Sequence, residues 1–132
     1  MTIRVVRLGT ARIPGEGTRI GTVRRPPRGV PKSKFASENW YDVWFPTLAP
    51  SVPAMHAAQK AQTEQEWRAF ERKYRAEMAR PEASRALDVL AALSRHADFS
   101  VGCYCEDEAR CHRSVLRELL AERGASLAQA AR

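Results

Sequence analysis

The chain has 132 residues, of which 44% are hydrophobic and 28% charged, and a net charge of +7. That suits one soluble domain with a single core, and no stretch approaches the roughly 20 apolar residues that cross a bilayer. Membrane-spanning, collagen-like and disulfide-scaffold classes are excluded, the last because three cysteines clustered within nine residues are an odd count that fits thiols kept reduced in a cytoplasm.

The first segment, Met1 to Leu8, carries charge and no long apolar run, so no secretory signal is expected. Ile3 to Leu8 is rich in β-branched residues and predicts a strand. Gly9 to Gly17, with Pro14, predicts a turn, and Arg19 to Arg24 a second short strand. Residues 24–34 hold three prolines and a glycine, which exclude helix and central strand and predict a long basic loop. Residues 1–34 contain nine Lys/Arg and a single acid, Glu16, so this quarter carries +8 and the rest of the chain −1. A basic block of this kind points to a phosphate or another polyanion as partner, or to a solvated surface.

Asn39 to Phe45 is the aromatic centre of the chain and predicts an irregular or extended segment. Ser51 is a candidate cap for a helix from about Pro53. Thr63 to Glu66 has the form of a capping box. The helix after it, to about Arg80, has Trp67, Phe70, Tyr74 and Met78 on one stripe. Pro81 opens another helix that ends near His96, with Ala86, Leu87, Val89, Leu90 and Leu93 on its apolar face. Phe99 to Cys105 predicts a buried strand, and Asp107 or a neighbour starts the last helix, carrying Val115, Leu116, Leu119 and Leu120. Gly124 is a candidate stop. This order predicts an α/β fold: a single domain over 1–124, a partly parallel sheet flanked by helices, and a frayed tail over 125–132.

The chemistry is expected around Cys103 to Ser114. Cys103 and Cys105, alternating along a strand, would share a face. Cys111, His112 and Arg113 would occupy the first turns of the helix, where free N–H groups and the helix dipole favour an anion and a thiolate. Cys111 is thus a candidate nucleophile, His112 a base or cap, and Arg113 an anion clamp. Cys103 alone suits packing, and Cys105 is open between roles. A zinc or iron site on Cys103, Cys105, Cys111 and His112 is a further reading; the spacing matches no common zinc pattern and adjacent Cys-His residues rarely reach one ion, so no metal ligand is assigned.

Four blocks carry a family resemblance. They are Arg19 to Gly29 with Lys32, Asp42-Val43-Trp44 running to Leu48-Ala49-Pro50-Ser51, Trp67 to Phe70 with Tyr74 and Glu77, and Cys103 with Cys111-His112-Arg113. Over about residues 3–122 the chain resembles the bacterial family called domain of unknown function 488, which includes the YeaO-like proteins. The resemblance implies a small cytoplasmic α/β domain, without an assigned reaction or cofactor. It also implies that Arg19, Arg28, Asp42, Trp44, Ser51, Cys111, His112 and Arg113 matter together. The family often has an acidic residue two positions after the strand cysteine; here that place is Cys105, with Glu106 next.

The first functional reading is a Cys/Arg anion site, as an enzyme or binder acting on a phosphate- or carboxylate-bearing ligand. In it Arg28 and Lys32 approach Cys111, Arg19, Arg24 and Arg25 add positive field, Asp42 orients an arginine or histidine or acts as acid/base, and Trp44 stacks on a planar ligand. The second is a nucleic-acid-binding module using the basic quarter. The third is the metal site, and the fourth an interaction module. Cofactor, substrate and oligomeric state are not specified by the sequence.

Overall fold

A computed structural model describes residues 1–129. Four strands form one sheet: β1 (Ile3–Arg7), β2 (Thr18–Gly21), β3 (Val43–Trp44) and β4 (Phe99–Cys103), in the order β1-β4-β2-β3. Every pairing is parallel, with Ile3 opposite Phe99, Thr18 opposite Phe99 and Ile20 opposite Val43. The expected partly parallel α/β sheet is therefore parallel throughout. Four helices follow or flank it: α1 (Val52–Lys60), α2 (Glu64–Met78), α3 (Pro81–Leu93) and α4 (His112–Glu122). None is long and apolar enough to cross a membrane.

The elements form where local chemistry favours them. Ser51 caps α1 by accepting from the Ala54 N–H at 3.2 Å. Thr63 caps α2 by accepting from the Glu66 N–H at 3.1 Å, and the Glu66 carboxylate reaches back to accept from the Thr63 hydroxyl at 3.1 Å and the Gln62 N–H at 3.4 Å, one residue beyond the Thr63 N–H of an ideal capping box. Trp67, Phe70, Tyr74 and Met78 are the buried stripe of α2. On α3 the buried face is Ala83, Leu87, Leu90 and Ala91, while Val89 and Leu93 are exposed. The helix faces the core along a stripe one step round from the expected one and ends three residues before His96. Gly124 terminates α4 with φ of +76°, the left-handed conformation glycine adopts cheaply.

β4 is buried along its whole length, as a strand covered on both faces of its sheet should be. Ile3, Phe99 and Val101 join the core built with the four helices. On the other face the loops close in: a side chain at Gly21 would collide with the Tyr41 ring, and one at Gly102 with the Val6 carbonyl. The expected fraying from residue 125 is not seen over 125–129. The Ile3 N–H donates to Ser126 and the Ala128 N–H to Ile3, and Leu127 pairs with Ile3, which covers the open edge of β1. Residues 130–132 of that tail lie outside the described residues.

Candidate functional site

In parallel sheets, ligands gather beyond the carboxyl ends of the strands. Here those ends deliver Arg7-Leu8-Gly9 from β1, Thr22-Val23 from β2 and Tyr104-Cys105 from β4. β4 ends at Cys103, so Cys105 is off the strand: Cys103 is buried and Cys105 exposed. Nor does Asp107 open α4. It caps a short 3-10 turn, Glu108–Arg110, by accepting from the Ala109 N–H, and Cys111 is the N-cap residue of α4, with no side-chain capping bond.

Cys111, His112 and Arg113 do come together with Cys103, but under the surface. Cys103 and Cys111 are each 2% exposed, and Arg113 3%. The two cysteines belong to a second core cluster with Leu8, Val23 and Tyr41. His112 Nε2 lies 2.9 Å from the Thr22 carbonyl oxygen, and its ring meets Tyr74 edge-on at 5.5 Å. Burial holds the imidazole well below its ordinary value, at about 4. Arg113 donates to the Cys105 carbonyl at 2.7 Å, and its Nε is buried without a partner.

The thiols shift in opposite directions. The Cys103 and Cys111 thiols beside it pull Cys105 well below the usual thiol range, helped by His112 and Arg113. Cys103 pulls Cys111 down, but Cys105 and burial outweigh it and push Cys111 up to about 11. Burial and the neighbouring Cys105 thus work against ionisation of Cys111, the opposite direction to the one a helix start favours.

The other residues singled out by the sequence lie apart from this cluster. Arg19 is fully buried: its Nε and NH2 grip the two oxygens of buried Glu16, at 2.8 and 3.0 Å, and NH1 donates to the Thr10 and Asn39 carbonyls. Asp42 accepts two bonds from Arg12, at 2.7 and 3.0 Å, and one from the Arg19 N–H. Ser51 donates to Glu77 through both its hydroxyl and its N–H. Trp44 donates from Nε1 to the Val23 carbonyl and is 44% exposed. Lys32, Asp42 and Trp44 share one cavity of about 550 Å³ with Phe35 and Tyr41. Arg28 lines a different one, and neither is lined by Cys111.

The cavity at Arg28 is the most cationic. It holds about 600 Å³ between the end of β1, the residue after β4 and the basic loop. Its walls carry Arg7, Arg25 and Arg28 with Trp40 and Tyr104, and no carboxylate. Trp40 and Tyr104 pack edge-on at 5.9 Å, and the Tyr104 hydroxyl fastens the loop by donating to the Arg25 carbonyl at 2.8 Å. Arg7 approaches Glu106 at 3.7 Å with both side chains exposed; Arg25 and Arg28 make no ion pair among the described residues. Sequence reasoning gave no role to Arg7, Tyr104 or Thr22. The signal for Arg7 was its place as the last charged residue before β1 ends.

A family model described as DUF488-N3a, "Active DUF488-N3 subclade", matches residues 3–124. No curated protein and no solved structure matches the chain.

Proposed function

The chain belongs to the DUF488 family, and from that premise we propose that it binds a phosphate- or carboxylate-bearing ligand in the cleft between β1, β4 and the basic loop. One observation carries this reading: three arginines line one cleft with no acid in its wall. Arg7 has Glu106 at 3.7 Å, but Arg25 and Arg28 make no ion pair among the described residues, and cations without counter-charges repel one another and favour an anion between them. Arginine's planar fork suits phosphate and carboxylate oxygens, and Trp40 and Tyr104 offer apolar walls beside them. Arg25 and Arg28 are exposed, so placing them here costs little desolvation. Tyr104 lies between Cys103 and Cys105, which sets the cysteine cluster beside the binding cleft.

Calorimetric titration with inorganic pyrophosphate tests the reading. Saturable binding by the native chain is expected. It should weaken about tenfold or more in Arg28→Ala and in Arg25→Ala, since a charge-assisted hydrogen bond contributes roughly 1.5–3 kcal/mol. Unchanged affinity in both variants would contradict it. Binding to single-stranded DNA alone, growing with length and falling steeply with salt, would support the nucleic-acid reading instead.

A further inference from the structure

Three soft donors meet where β4 ends and α4 begins. The Cys103 and Cys111 sulfurs and a ring nitrogen of His112 lie within 4.8 Å of one another, and all three residues are buried. Cys111 Sγ stands 3.7 Å from His112 Nδ1. Two such ligands on a tetrahedral zinc, at about 2.3 Å for sulfur and 2.0 Å for nitrogen, sit roughly 3.6 Å apart. Adjacent residues reach this geometry because Cys111 is still extended, with φ of −135° and ψ of 155°, while His112 begins the helix.

A second observation concerns the imidazole. Nε2 faces the Thr22 carbonyl at 2.9 Å, and a carbonyl can only accept. Nε2 therefore carries the hydrogen, and Nδ1 presents its lone pair toward the sulfurs. A backbone carbonyl holding the far nitrogen of a histidine is a recurrent support of metal-binding imidazoles. A third concerns Arg113. It is buried, its guanidinium donates to the carbonyl of Cys105 at 2.7 Å, and its Nε has no hydrogen-bond partner. An unsatisfied buried cationic donor is expensive, and anionic thiolates at Cys103 and Cys111 would offset it.

We propose that Cys103, Cys111 and His112 bind one zinc ion. Thiolate and imidazole donors suit zinc over magnesium or calcium. Each thiol yields its proton on binding, so one zinc displaces two protons. Two thiolates and the ion sum to zero charge, and Arg113 leaves the centre net positive. The three residues leave the fourth tetrahedral position to an exogenous ligand, as in zinc sites that bind water or substrate, and an anionic one is favoured. The proposal does not depend on the arginine cleft.

The test is titration of the chelator-treated full chain with zinc alone. One zinc per chain is expected, with release of about two protons per ion at a pH where the thiols are protonated. Cobalt in place of zinc should give thiolate-to-metal charge-transfer absorption. Cys111→Ser should weaken binding tenfold or more, and Cys105→Ser, at an exposed position, should retain one zinc per chain. Absence of zinc binding by the folded native chain, binding without proton release, or loss of zinc from Cys105→Ser would overturn the assignment. If Cys111→Ser fails to fold, proton release and the cobalt spectrum of the native chain still decide it, and neither reads pyrophosphate binding.

Discussion

Arg19 and Glu16 form a two-point ion pair in which both side chains are buried, with Nε to Oε2 at 2.8 Å and NH2 to Oε1 at 3.0 Å. The Ser100 hydroxyl also donates to this carboxylate at 2.8 Å. The most basic quarter of the chain thus spends its single acid on neutralising one internal arginine. Removing one member of such a pair leaves a buried charge, which costs about 3–5 kcal/mol. Glu16→Gln is therefore expected to lower stability by about that amount, read from denaturant unfolding. A loss below about 1 kcal/mol would show that Arg19 finds another partner.

Asp42 was a candidate acid/base, and its surroundings make it an anchor. Burial pushes its carboxyl up, but the Arg12 side chain, the Arg19 N–H and both positive charges outweigh this and hold it below 3.8. A carboxyl lowered in the folded state stabilises the fold fully above its unfolded value and loses that contribution as pH falls through the folded one. The stability difference between the native chain and Asp42→Asn should be about 1 kcal/mol at neutral pH. It should close as pH falls below about 3.8. A difference that persists in strong acid would contradict this.

Ser51 belongs with the helix architecture. It caps α1 and donates twice to Glu77 on α2, so it joins the two helices. Ser51→Ala should cost about 1–2 kcal/mol through the lost cap and the underpaired carboxylate. Pyrophosphate affinity measured on the folded variant should be unchanged. A loss of affinity at native stability would return Ser51 to a ligand-binding role.

Exposure ranks the three thiols. Cys105 is exposed, and Cys103 and Cys111 are each 2% exposed. Under native conditions iodoacetamide should therefore modify one cysteine per chain rapidly, and peptide mapping should place it at Cys105. Cys105→Ser should leave only slow modification. Rapid labelling of Cys111 in the folded chain would overturn the burial of the cluster.

Much of the fold was legible because its signals are local. The capping box at Thr63, the four-residue stripe of α2, Pro81 at the start of α3 and Gly124 after α4 each act within one or two turns. β3 was legible only as an extended or irregular segment; its pairing with β2 was not, and neither was the need for Gly21 to leave room for the Tyr41 ring. The Cys-His-Arg block was legible as a cluster, but its depth was not, because burial of Cys111 depends on Leu8, Val23 and Tyr41 brought from distant parts of the chain. Arg19 looked like one more cation of a basic patch. The clue against that was Glu16 three residues before it, the lone acid among nine cations. The cleft itself joins Arg7, Arg25 and Arg28 with Trp40 and Tyr104 across the sheet, a meeting that no sequence window contains.

Under the proposed function, the basic quarter contributes an anion-binding wall rather than a solvated surface. A crystal structure of the chain grown with pyrophosphate tests it most directly. The anion is expected between Arg7, Arg25 and Arg28, with its oxygens on the guanidinium groups and Trp40 or Tyr104 alongside. Pyrophosphate bound at another surface, with this cleft holding only water at saturating concentration, would contradict it.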